Sequence, residues 1–99
     1  MDAIKWLENW FKSNCDGDWE HENPLSIYST SNPGWSIKIY LNYTPLESLD
    51  VDCPLIENSE EDWYFYSIKN GVFAAAGDLT KLVFLLEVFK GIVEGNSKY

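Results

Sequence analysis

Asn70-Gly71 constrains this chain more tightly than any other pair of residues in it. Both central residues of a type I′ turn need positive φ, and Asn-Gly tolerates that conformation best, so the flanking segments should form an antiparallel hairpin. On one side stands Trp63-Tyr64-Phe65-Tyr66-Ser67-Ile68-Lys69, rich in the aromatic and β-branched residues that strands favour. On the other, Val72 to Ala76 return as its partner. Three consecutive alanines at 74–76 leave room above that strand, and a following helix is the natural occupant.

A second hairpin is predicted upstream. Residues 25–30 alternate in apolar character, and 35–41 do so more clearly, with Trp35, Ile37, Ile39 and Leu41 on one face. Ser31-Asn32-Pro33-Gly34 supplies the turn, since Pro fixes φ and Gly accepts positive values. Helical spacing brackets the strands. Ala3, Ile4, Leu7, Trp10 and Phe11 fall on one face behind a possible Asp2 cap, with Trp6 at the stripe's edge as a rim or partner residue. Leu79, Leu82, Val83, Leu86, Phe89 and Val93 repeat likewise until Gly95-Asn96, behind an Asp78 or Thr80 cap.

Two stretches fit neither pattern. Cys15-Asp16-Gly17-Asp18-Trp19-Glu20-His21 reads as a compact polar turn that Trp19 holds down on the core. From Thr44 to Asp62, Pro45 and Pro54 obstruct a regular ladder, and seven acids (Glu47, Asp50, Asp52, Glu57, Glu60, Glu61, Asp62) occur without one Lys. A helical turn at 46–51, tacked down by Leu46, Leu49, Val51 and Leu55, is compatible with that stretch. The order is helix, hairpin, acidic connection, hairpin, helix. It predicts one α+β domain over 1–99, with a four-stranded, mainly antiparallel sheet between an N-terminal and a C-terminal helix.

Charge narrows the partner. Sixteen acids against seven lysines and no arginine give a net charge of −9 over 99 residues. Binding a phosphate backbone draws on a basic face, so direct nucleic-acid binding is not expected, and a basic protein is the natural complement. No apolar run approaches the ~20 residues of a membrane span, and Met-Asp-Ala-Ile-Lys-Trp lacks the basic and apolar regions of a secretory signal. A cytoplasmic protein without membrane attachment is expected, with Cys15 and Cys53 as free thiols. Acids followed by Trp63, Tyr64 and Tyr66 make a candidate contact surface, because charge steers a basic partner and Trp and Tyr anchor it. Asp50, Asp52, Glu57, Glu60, Glu61 and Asp62 are its expected acidic members.

Catalytic and metal readings find little support. A calcium loop starting at Asp16 needs Gly at its sixth place and Glu at its twelfth, where His21 and Ile27 stand. Cys15 and His21, one thiol and the one imidazole, lack further ligands at metal spacing, so neither a metal nor a cofactor is expected. As a nucleophile and base they would need an orienting group and an oxyanion hole, and the acids around Cys15 oppose thiolate formation. A small enzyme centred on that pair, and an acidic decoy of DNA, stand as the alternatives.

Trp10, the Cys15 to His21 run, Asn32-Pro33-Gly34-Trp35 and the closing Leu79 to Phe89 helix together resemble the immunity protein 53 family of bacterial polymorphic toxin systems. The resemblance spans Ile4 to about Val93. Seven consecutive residues followed by Asn-Pro-Gly-Trp are specific, whereas the closing helix is weak evidence alone. This chain departs from the family's Gly-Gly-Pro-like turn before that helix, with Ala76-Gly77-Asp78. The resemblance implies a small, non-catalytic cytosolic protein that binds a cognate toxin domain, encoded beside it, and neutralises it stoichiometrically. Cys15, Asp16, Gly17, Asp18, Trp19, Glu20, His21, Asn32, Pro33, Gly34 and Trp35 are then either toxin contacts or a structural framework, and a basic partner such as a nuclease would suit the acidity.

Overall fold

A computed structural model describes residues 2–95. The order of elements is α1 (Ala3–Asn14), α2 (Trp19–Glu22), β1 (Leu25–Thr30), β2 (Gly34–Tyr40), β3 (Val51–Ser59), β4 (Asp62–Lys69), β5 (Val72–Gly77) and α3 (Leu82–Glu94). The five strands form one antiparallel sheet in the order β1-β2-β5-β4-β3, so the α+β class is as predicted but the sheet has five strands, not four. Residues 96–99, including the Asn96 read as part of the helix stop, lie outside the described residues.

The fifth strand comes from the acidic connection. Val51, Asp52 and Cys53 pair with Ile68, Ser67 and Tyr66, and then a register shift lets pairing resume at Ile56 with Tyr64. Pro54 sits in that irregularity. A proline cannot donate to a ladder, yet on an edge strand at a bulge it has no ladder bond to break. Upstream, 45–48 form turns in which Glu47 N–H donates to Thr44 O and Leu49 N–H to Leu46 O, and Leu46 is buried. Both positive-φ residues at Asn70-Gly71 are present, at 53° and 77°, as the hairpin requires.

Cross-strand rows show which face is covered. Leu25, Ile39, Phe73, Ile68 and Val51 form one row, and Ile27, Ile37, Ala75, Tyr66 and Cys53 the next; both face the helices. Side chains alternate along a strand, so Ala74 and Ala76 project from the opposite face, and only Ala75 lies beneath the helix layer. The expectation that a helix fills the space over all three alanines therefore holds for one of them.

Phe89 joins the two helices to the sheet. It is fully buried, with its ring 5.0 Å from Trp10, 5.0 Å from Phe73 and 6.0 Å from Trp6. Trp6, placed by its spacing at the rim of the apolar stripe, packs there edge-on. Asp2 caps α1 by accepting from Ile4 N–H at 2.9 Å, and Gly95 ends α3 in the left-handed region. α3 starts at Leu82, later than the Leu79 of its apolar repeat, because Asp78 holds Thr80 in a turn ahead of it. Among the described residues no helix is long and apolar enough to cross a membrane. Phe89→Ala should cost about 4 kcal/mol of stability, by emptying the site where both helices meet the sheet, and urea unfolding of the two proteins measures the difference.

Candidate functional site

Two carboxylate hubs organise the polar surface, and the first is the Cys15 to His21 run. Asp16 Oδ1 accepts the N–H groups of Asp18 and Trp19 at 2.9 and 2.8 Å. Glu20 reaches back and accepts those of Asp16 and Gly17, both at 3.0 Å. These bonds close a tight loop around Gly17, whose φ of 100° suits glycine. Backbone N–H groups hold both carboxyls below their ordinary pKa: those of Trp19 and Asp18 for Asp16, and for Glu20 its own first, then those of Asp16 and Gly17.

The loop delivers Trp19 to the core as the first residue of α2. Its ring lies 6.1 Å from Trp10 and 5.5 Å from Phe11, and its Nε1 donates to Asn42 O at 2.7 Å. Asn23, also buried, donates to Trp19 O and accepts from Asn42 N–H, so this segment is tied to the loop that leaves β2. Sequence reasoning missed α2 and Asn23; the four-residue helix has too little periodicity to show. Asp18, Glu20 and His21 stay at or near the surface.

Cys15 is exposed, and its thiol donates to Phe11 O at 3.3 Å. Partial desolvation, then the Glu20 and Asp16 carboxylates, push its pKa up, the reverse of nucleophile activation. No hydrogen bond joins Cys15 to His21 among the described residues. Nor does any group of three or more His, Cys, Asp or Glu there have the geometry of a metal site.

The Asn32 to Trp35 motif turns β1 into β2. Trp35 Nε1 donates to Leu79 O at 3.0 Å, which fixes the segment leading into α3. At Gly34 an added Cβ would collide with Gly77 O and come within 3.2 Å of Trp63 Cζ2, so the missing side chain lets the Trp63 indole lie across the strands.

The second hub is Asp78, buried just after β5. Its Oδ2 accepts Trp63 N–H and Lys81 Nζ at 2.8 Å each, while Oδ1 accepts both Thr80 N–H and hydroxyl. Lys81 also bridges to Asp62 at 2.7 Å, so one ammonium clamps the β3–β4 hairpin to the start of α3. Burial alone would raise the Asp78 carboxyl; the bonds from Lys81, Thr80 and the Trp63 N–H outweigh it and hold the group far below the usual carboxylate range.

The nine candidate contact residues separate by face. Asp62 is engaged by Lys81, and Asp50 by Lys69 at 3.0 Å, whereas Glu57, Glu60 and Glu61 have no ion pair among the described residues. Asp52 is exposed on β3. Trp63 and Glu57 are cross-strand partners on the face that no helix covers. Tyr64 and Tyr66 point the other way: their rings are stacked, Tyr64 meets Phe84 of α3, and burial, followed by Cys53 and Tyr64, raises the Tyr66 phenol. The uncovered face instead presents Phe65 and Tyr28, which the sequence reading did not single out, and Leu55, which is exposed there rather than tacked to the core as expected.

In comparison with known protein families, residues 4–94 match the family described as immunity protein 53. No curated protein and no solved structure matches the chain.

The Asp78 hub carries a pH signature. Its carboxyl titrates below the ordinary 3.8 when folded, so its contribution is complete above that value and is lost as pH falls toward the depressed folded value. Asp78→Asn should therefore be destabilised by about 3 kcal/mol near neutrality. Its deficit relative to the parent should narrow as pH drops below about 4. Urea unfolding at pH 7 and pH 3 checks both points.

Proposed function

The chain belongs to the immunity protein 53 family, and from that premise we propose that it binds a cognate toxin domain one-to-one and neutralises it by covering the toxin's active site or a surface beside it. The observation that carries this reading is the pooling of uncompensated acid at one end of the sheet. Glu57, Glu60 and Glu61 lie on β3 and the β3–β4 turn without ion pairs among the described residues, in a chain of net charge −9. Unpaired surface carboxylates steer a basic partner and speed its encounter.

A toxin that acts on nucleic acid has a basic cleft, because it must neutralise phosphates. Acid on the inhibitor then competes for that cleft without chemistry of its own. Asp50, Asp52, Glu57, Glu60, Glu61 and Asp62 supply the attracting field and Trp63 the contact itself. Tyr64 and Tyr66 support that contact from the covered side of β4. The Cys15 to His21 loop and Asn32 to Trp35 act as framework, since their hydrogen bonds tie one segment of the chain to another. The complex forms in the cytoplasm, where the toxin would otherwise reach the cell's own substrate.

Replacing Glu60 and Glu61 together by Lys should slow association with the toxin domain about tenfold at low salt and flatten its salt dependence. Stopped-flow mixing at two ionic strengths reads both. An unchanged on-rate would remove this turn from the encounter surface.

A further inference from the structure

The sheet has one helix-covered face and one bare face, and the bare face is not uniformly polar. Tyr28 is 52% exposed, Leu55 53% and Phe65 40%, and between Tyr28 and Phe65 the row passes through Ser36 and Ala76. Small residues in the middle of that row leave a shallow trough with aromatic sides. At the β3 end the trough opens into a hollow lined by Asn32, Leu55, Glu57, Glu60, Trp63 and Phe65.

We propose that this hollow is where the toxin docks, and that it seats an arginine of the toxin between the Trp63 indole and the Glu57 and Glu60 carboxylates. The inference rests on the inhibitor reading above and gives it a location and a chemistry. Three observations converge on a guanidinium. Glu57 stands directly across from Trp63 in the register, so both side chains leave the sheet on the bare face and line the same hollow. Neither Glu57 nor Glu60 has an ion pair among the described residues, whereas nearby Asp62 is held by Lys81. The indole reaches over Gly34, and the Asp78 bond to the Trp63 backbone N–H holds the start of β4 beneath it. A planar cation stacks on an indole and takes carboxylates through its fork, and Leu55 and Phe65 supply the apolar ground on which a neighbouring side chain rests.

Another hollow lies between α1 and β1, lined by Ile4, Leu7, Phe11, Leu25 and Ile27. Each measures about 460 Å³, so size does not separate them. Charge does: the hollow under α1 is apolar with Glu8 and Lys12 at its rim, one of each sign, while the hollow at Trp63 has two acids and no base. Of these two hollows, the one at Trp63 is the match for a basic toxin.

The test uses the full chain and the purified toxin domain encoded beside its gene. Calorimetry compares the parent with Glu57→Gln/Glu60→Gln, with Phe65→Ala and with Ile4→Asp, after circular dichroism has shown each to be folded. The double Gln variant and Phe65→Ala should each raise Kd at least tenfold, and Ile4→Asp should leave it unchanged. Hydrogen exchange on the parent complex should show new protection in 55–66 rather than in 4–15. Parent-like affinity of the folded double variant, or protection confined to 4–15, would overturn the docking site while leaving the inhibitor reading intact. Absence of binding by the parent protein would overturn both.

Discussion

Everything in this fold depends on one-sided burial, and Phe89 is where that burial closes. A five-stranded antiparallel sheet can leave one face to solvent if the other is fully covered, and here α1 and α3 share that covering. They meet over Phe73 of the central strand, with Phe89 between Trp6, Trp10 and Phe73. Large aromatic rings suit a chain of this length, because few side chains must exclude water from a small core. The same arrangement leaves Ala74, Ala76, Phe65 and Trp63 on the other side, so the packing that stabilises the molecule also creates the face available to a partner.

Carboxylates have two separate uses. Asp16 and Glu20 fold a loop by accepting backbone N–H groups, and Asp78 joins strand to helix by accepting Trp63, Thr80 and Lys81. These acids are internally satisfied. Glu57, Glu60 and Glu61 are not engaged by any cation among the described residues and remain free to act at a distance. An excess of acid thus divides into a structural set with depressed pKa values and a solvent-facing set that sets the long-range field.

Much of the architecture was legible in the sequence. Asn70-Gly71, the alternation of Trp35 to Leu41 and the helical spacing of α1 each state a local rule that the tertiary structure obeys, whereas in α3 the buried face takes Leu85 and Ile92 with Leu86 and Phe89 and leaves Val83 exposed. β3 was missed because Pro54 counts against a strand, and only knowledge that the strand lies at an edge and bulges there removes the objection. The contact residues divide for a related reason. In Trp63-Tyr64-Phe65-Tyr66 every residue is aromatic, so alternation gives no indication of which parity faces the core; the register with Phe73 and Ala75 assigns Tyr64 and Tyr66 inward and Trp63 and Phe65 outward. Asn23 looks like an ordinary loop residue in sequence and Asp78 like a helix cap, a place Lys81 takes instead; the burial of both follows from contacts that reach across the fold. The immunity protein 53 resemblance, carried by two turn motifs, agrees with the family match over 4–94.

The most direct measurement of the proposed neutralisation is isothermal titration of the chain with the toxin domain proposed as its partner, at low and at physiological salt. A tight complex of one inhibitor to one toxin, with affinity that falls as salt rises, is the expected result, since an acidic surface meeting a basic cleft must be screened. Absence of a complex with that domain at either salt concentration would contradict neutralisation by stoichiometric binding.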